Sequence, residues 1–253
     1  MIALEDLSKS ERETLKAIYR LTSRNGTDNA HTGDLSDMLG VVPATITATI
    51  KRLAERNYCV HHLYKGVELT ETGRLASMAV IRRHRIVERF LADMLGYPWN
   101  KADQLAPAFE HALPQEVEDR MFVALDRPTT CPHGFPIPAA EAAELPQLPP
   151  LYALEPGDSA IVALPGAMEP EMVSFLETLG LRPGVNVEVR EKHPFDGPLV
   201  LRVEGEDRTV SEKLARQIFV QRSTVHLAAD DVLEHRGAID HSKSSTNRED
   251  RSA

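Results

Sequence analysis

Two short spacings carry the residues best suited to chemistry. His84 and Glu88 stand one helical turn apart, which places an imidazole and a carboxylate on the same face. Leu91 and Leu95 continue that face, so both polar groups lie along an apolar stripe. A carboxylate in such a place is costly unless a metal ion or an arginine neutralises it. Further on, Asp103, Pro107, Glu110 and His111 fall at i, i+4, i+7 and i+8, again one helical face. Two facing helices that each offer a histidine and a carboxylate make a nitrogen–oxygen cage for a divalent cation. The plainer alternative is a solvated His84–Glu88 pair with Glu110 and His111 as chance neighbours.

Helices must position these groups, and the sequence announces them. Ser8-Lys9-Ser10-Glu11 is a capping box, followed by Leu15, Ile18 and Tyr19 at helical spacing and a polar turn over 24–28. A short helix at Asp34–Leu39 stops at Gly40, and Pro43 opens another whose Ile46, Ile50 and Leu53 face inward. Tyr58–Tyr64 and Val67–Leu69 read as two strands around Lys65-Gly66. Two helices with a tight turn and then a hairpin is the winged helix-turn-helix pattern. Thr70 caps a long helix over 71–96, and two more are expected at 102–112 and 114–126. A Pro-rich connector spans 127–150. Strands at Ser159–Ala163, Val185–Glu191, Leu199–Glu204 and Phe219–Val220, with one helix at 168–179, predict a small β-barrel. From about 229 onward polar residues dominate, which predicts a disordered tail.

Charge is unevenly placed. The net charge is −9, yet residues 1–100 carry 14 Lys and Arg against 12 Asp and Glu, leaving the acidity in the rest of the chain. The N-terminal part is therefore free to face phosphate, although so weak a field asks for a dimer or a switch. No apolar run reaches the ~20 residues of a membrane span. The acidic N-terminus lacks the basic start of a signal peptide, and Cys59 and Cys131 are too few for a disulfide framework. A cytoplasmic protein is expected.

The string Arg82-Arg83-His84-Arg85-Ile86-Val87-Glu88-Arg89-Phe90-Leu91, then Phe109-Glu110-His111 and Glu116-Val117-Glu118, resembles the diphtheria-toxin-repressor (DtxR/MntR) family of iron and manganese regulators. Ile18-Tyr19, Leu69-Thr70-Glu71-Thr72-Gly73 and Pro132-His133-Gly134-Phe135-Pro136-Ile137-Pro138 support the likeness, which runs from about residue 8 to 222. It implies a mainly α protein with β: a winged helix-turn-helix at 1–70, a helical metal-binding and dimerisation domain at 71–140, a linker at 141–150 and an SH3-like barrel at 151–225. Carried over by position, one metal site takes His84, Glu88, Asp103 and a carboxylate near Glu169. The companion site takes Glu13, Glu110 and His111, with Pro107 where the family has a Cys or Glu. Pro107 offers no side-chain donor, so the second site is damaged or rebuilt, with Gln104 or Glu171 as substitutes, and one or two ions remain open. An all nitrogen and oxygen shell suits Mn²⁺ or Fe²⁺, with Mn²⁺ slightly preferred. The pair Cys131 and His133 reads as a turn rather than a third site.

In the helix opened by Pro43, Ala44, Thr45, Thr47 and Ala48 are the candidates for base edges, and Lys51, Arg52 and Thr32 for phosphates. The function expected is a non-enzymatic repressor that binds operator DNA as a metal-loaded homodimer. A metal-independent winged-helix regulator answering to another ligand is the alternative, favoured by Pro107 and Asp103. A di-metal hydrolase lacks any accompanying nucleophile or phosphate loop.

Overall fold

Caps and periodicity set the helices of the head. A computed structural model describes residues 4–165 and 168–222. Ser8 Oγ accepts from the Glu11 N–H at 3.3 Å, and the Glu11 carboxylate accepts from the Ser8 N–H at 2.8 Å, the reciprocal box that starts α1 (Lys9–Asn25). A two-residue strand β1 (Asn29–Ala30) follows, then α2 (Thr32–Leu39) and α3 (Pro43–Glu55). Leu15, Ile18, Leu35, Ile46, Ile50 and Leu53 fill one core between the three helices. The hairpin β2 (Cys59–His62) and β3 (Gly66–Leu69) joins β1 in an antiparallel sheet of order β1-β3-β2. Strand β1 is too short for its alternation to show in the sequence. Its place is marked instead by Gly66, at φ +105°, where a Cβ would overlap the Ala30 carbonyl.

Thr70 Oγ1 accepts from the Gly73 N–H at 3.0 Å and starts α4 (Glu71–Asp93), which ends before the expected 96. Leu91 is buried, but Leu95 lies past the helix end and is exposed. Helices α5 (Trp99–Glu110) and α6 (Gln115–Ala124) pack on α4, as does α1. Pro107 sits inside α5 without ending it. Four buried apolar residues, Val87, Leu91, Ala102 and Ala106, make the small α4–α5 core.

The connector runs back along α4. Arg82 Nη1 donates to the Pro138 carbonyl at 2.7 Å, Arg85 donates to the Pro136 carbonyl, and the Cys131 N–H donates to the Phe135 carbonyl at 2.9 Å. These bonds hold Cys131 and His133 beneath α4, where both are buried.

The C-terminal unit contains β4 (Ser159–Ala163), α7 (Pro170–Thr178), β5 (Asn186–Lys192), β6 (Leu199–Val203), β7 (Glu206–Val210), α8 (Glu212–Ala215) and β8 (Phe219–Arg222). Its antiparallel sheet has the order β7-β6-β5-β4-β8 and is open, so the expected closed barrel is not seen. One reason lies at β8, whose outer edge is taken by the connector: the Val220 N–H donates to Pro149 at 3.0 Å and the Leu151 N–H to Ile218 at 2.7 Å. Strand β7 escaped the sequence reading because only Val210 of its five residues is buried. The tail expected to be disordered from about 229 lies outside the described residues. No helix among the described residues is long and apolar enough to cross a membrane.

Candidate metal centre

The mid-section of α4 buries polar groups where a core would be apolar. His84, Glu88 and Arg83 are all at most 5% exposed. Arg83 is answered by Glu118 of α6, with Nε 2.8 Å from Oε2. His84 is answered on both ring nitrogens: Nδ1 lies 2.5 Å from Glu110 Oε2, and Nε2 lies 3.1 Å from Glu88 Oε1 and 3.4 Å from Asp103 Oδ1. Burial disfavours a charged ring, but hydrogen bonds to Asp103, Glu110 and Glu88 overcome it and hold the His84 pKa well above the ordinary value. The same contacts act on Glu88, whose burial works against ionisation while His133 and His84 hold its pKa well below the usual carboxylate range. Three carboxylates converging on one imidazole make a site that asks for positive charge.

Glu110 belongs to a second cluster on the far side of His84. Its Oε1 lies 3.6 Å from His111 Nε2 and 3.3 Å from Lys16 Nζ, while Glu13 Oε1 lies 3.3 Å from His111 Nε2 and 2.9 Å from Lys16 Nζ. Burial raises the Glu110 pKa, and contacts with His84 and Lys16 outweigh it and bring it down to about 2. His111 is near both carboxylates but makes no hydrogen bond through either ring nitrogen, and burial lowers its pKa.

A third group gathers at the connector. His133 Nδ1 is 3.5 Å from Glu88 Oε1 and 3.9 Å from Cys131 Sγ. Glu88, Cys131 and His133 each bring one donor atom within 4.8 Å of the others, as do His84, Glu88 and Asp103, and Glu13, Glu110 and His111. His133 Nε2 is buried without a partner, and the His133 ring meets Trp99 edge-on at 5.2 Å. Burial opposes charge on His133, and contacts with Cys131 and Glu88 raise its pKa to about 9.

The donor chemistry around Glu88 fits a divalent cation. His84 directs Nδ1 to a carboxylate and Nε2 to the cluster, the arrangement by which a carboxylate orients a metal-binding imidazole. The second cluster does not fit as it stands, because a lysine ammonium already rests on two of its three donors and Pro107 supplies none.

The structure thus brings His84, Glu88 and Asp103 together, and Glu13, Glu110 and His111 together. Glu169, expected near the first group, is exposed at the N-terminal cap of α7 and joins neither. Lys16, Cys131 and His133 are the residues that sequence reasoning left out. Lys16, one turn from Glu13 on α1, is buried where it reaches Glu110 of α5, a partner that local spacing does not reveal. The flanking prolines give the Cys131–His133 stretch the look of a plain turn, whereas Arg82 and Arg85, bonded to the Pro138 and Pro136 carbonyls, hold it against α4.

The residues expected to meet DNA lie mostly on α3. Ala44, Thr45, Thr47, Ala48, Lys51 and Arg52 are all exposed, while Thr32 at the start of α2 is half-buried. Arg52 is not free, since Nε lies 3.7 Å from Glu11 Oε1 and Nη2 donates to Thr49 Oγ1 at 3.1 Å. Thr47 turns its hydroxyl to the Pro43 carbonyl at 3.0 Å. Val42, just before α3, is 65% exposed.

Fold and site define a class: a winged-helix DNA-binding head on a helical unit that buries histidines and carboxylates behind it. Residues 6–67 match the family described as the iron dependent repressor, N-terminal DNA binding domain, and residues 70–139 its metal binding and dimerisation domain. Residues 150–222 match the FeoA domain. The iron-dependent repressor IdeR of Mycobacterium tuberculosis is 28% identical over 233 residues, covering 87% of this chain and 100% of that protein. The diphtheria toxin repressor of Corynebacterium diphtheriae is 27% identical over 229 residues, covering 86% and 99%. A solved manganese-dependent transcriptional repressor in complex with manganese superposes with a TM-score of 0.72 at 30% identity, covering 84% of this chain and 99% of that one. The chain belongs to the diphtheria-toxin-repressor family of iron- and manganese-dependent transcriptional repressors.

Proposed function

We propose that this chain is a cytoplasmic metal-dependent repressor that, loaded with Mn²⁺ or Fe²⁺, binds operator DNA as a homodimer and controls genes of metal homeostasis. The observation that carries the reading is His84, buried and held through Nδ1 by Glu110, with Nε2 turned to Glu88 and Asp103. A cation held there supplies the charge that links α4 to α5. Its ligands are His84, Glu88 and Asp103, a shell of nitrogen and oxygen that suits Mn²⁺ or Fe²⁺. Cys131 and His133 stand next to Glu88 as further donors, and a shell that recruits the thiol leans toward Fe²⁺.

The chain's own residues carry the signal onward. Glu110 receives His84 on one oxygen and Lys16 of α1 on the other, so a fixed His84 ring fixes α5 against the head. The loaded form is then the DNA-competent population, favoured by no more than the cation's differential affinity for it. In the groove, Ala44, Thr45, Thr47 and Ala48 meet base edges and thymine methyls, with Lys51, Arg52 and Thr32 on phosphates. Arg52, paired with Glu11, contacts phosphate only in part. Dimerisation through the helical domain is supported by Met94, Leu95, Tyr97, Phe109, Val117 and Val123, all exposed on or next to α4, α5 and α6. The functional division is 1–70 for DNA, 71–140 for metal and dimer, and 151–225 for the FeoA unit.

The test is binding to genomic fragments in chelator and then with Mn²⁺ or Fe²⁺, the latter without oxygen. Binding switched on by either ion supports the reading, and equal binding in chelator removes the metal switch while leaving the head.

A further inference from the structure

The second cluster carries its own cation. Lys16 has a side chain only 6% exposed, and its ammonium lies 2.9 Å from Glu13 Oε1 and 3.3 Å from Glu110 Oε1. A buried ammonium is held in place only by such partners, and here the partners are the same two oxygens that a metal ion would need. The remaining oxygen of Glu110 is engaged by His84 Nδ1 at 2.5 Å. Pro107, on the same face of α5, offers nothing in compensation. A divalent ion drawn to these oxygens would meet the ammonium at a few ångströms in a site shielded from water, where like charges repel strongly.

We propose that the Lys16 ammonium stands in for a second cation, so that each subunit takes up one divalent ion, at the His84–Glu88 cluster. The link between α1 and α5 is then built into the chain and present before any metal arrives. This rests on the metal-dependent reading above for the first ion, but not for the lysine.

The test is equilibrium dialysis of the full chain against Mn²⁺, with bound metal counted per subunit, for the wild type, Lys16→Met, Lys16→Gln and Glu88→Gln. Thermal unfolding confirms that each variant is folded, and the glutamine variant serves if methionine does not fold. The expected result is one ion in the wild type, two in the Lys16 variant and none in Glu88→Gln. Two ions in the wild type, falling to one in Glu88→Gln, overturn the lysine assignment and leave the first site intact. A Lys16 variant that stays at the wild-type count also overturns it. No ion in the wild type but one in the Lys16 variant upholds the lysine assignment and removes the first site.

Discussion

The two clusters on either side of the His84–Glu110 contact have the same kinds of donor but carry their positive charge on different groups. Around Glu88 the positive charge rests on imidazoles, which would release their protons to solvent as their nitrogens took up a metal. Around Glu13 and Glu110 it rests on a lysine, fixed to the backbone of α1 and present whatever the metal concentration. The contrast teaches that ligand types at the expected spacing do not make a metal site by themselves. What decides is whether another charge already occupies the donors.

The largest effect that can break this contrast comes from the first cluster. Glu88→Gln or His84→Ala should weaken Mn²⁺ binding by at least about 100-fold and abolish metal-dependent DNA binding, read by dialysis and by fluorescence anisotropy on an operator fragment. Removal of the residue common to both clusters comes next. Glu110→Gln strips Lys16 of one of its two carboxylates and His84 of its orienting partner. It should cost about 3 kcal/mol of stability, the order expected for breaking a buried pair, visible as a clear fall in the unfolding midpoint without metal. A fall of under about 0.5 kcal/mol would show that Lys16 is solvated and the contrast false. Asp103→Asn touches only the half-exposed member of the first cluster, and about a tenfold loss of Mn²⁺ affinity is expected with the fold unchanged. The smallest effect on either cluster should come from the head. Lys51→Ala should leave Mn²⁺ affinity as it is, weaken DNA binding evenly across sequences and lower the salt slope by about 1.

Much of this arrangement is legible in the sequence alone. The capping box at Ser8, the Thr70 cap and the apolar spacing of Ile46, Ile50 and Leu53 are local signals, and the helices they predict are present. Local signals also set His84 against Glu88 and Asp103 against Glu110. They failed wherever a residue's meaning depends on a distant partner. Lys16 faces Glu110 across 94 residues of chain, and His133 reaches Glu88 because Arg82 and Arg85 bind the connector carbonyls. Strands β1 and β7 were missed for a different reason, being too short or too polar to show alternation. Glu169, carried over from the family by position, falls on an exposed cap.

In the reading proposed above, charge delivered to the His84–Glu88 cluster switches the head. It is tested most directly by measuring operator binding against free Mn²⁺, from chelator to saturation, for the wild type and Glu88→Gln side by side. The wild-type affinity should rise at least tenfold with Mn²⁺, and the Glu88→Gln affinity should stay at the chelator value. Equal Mn²⁺ responses in the two proteins, or no response in either, would contradict it.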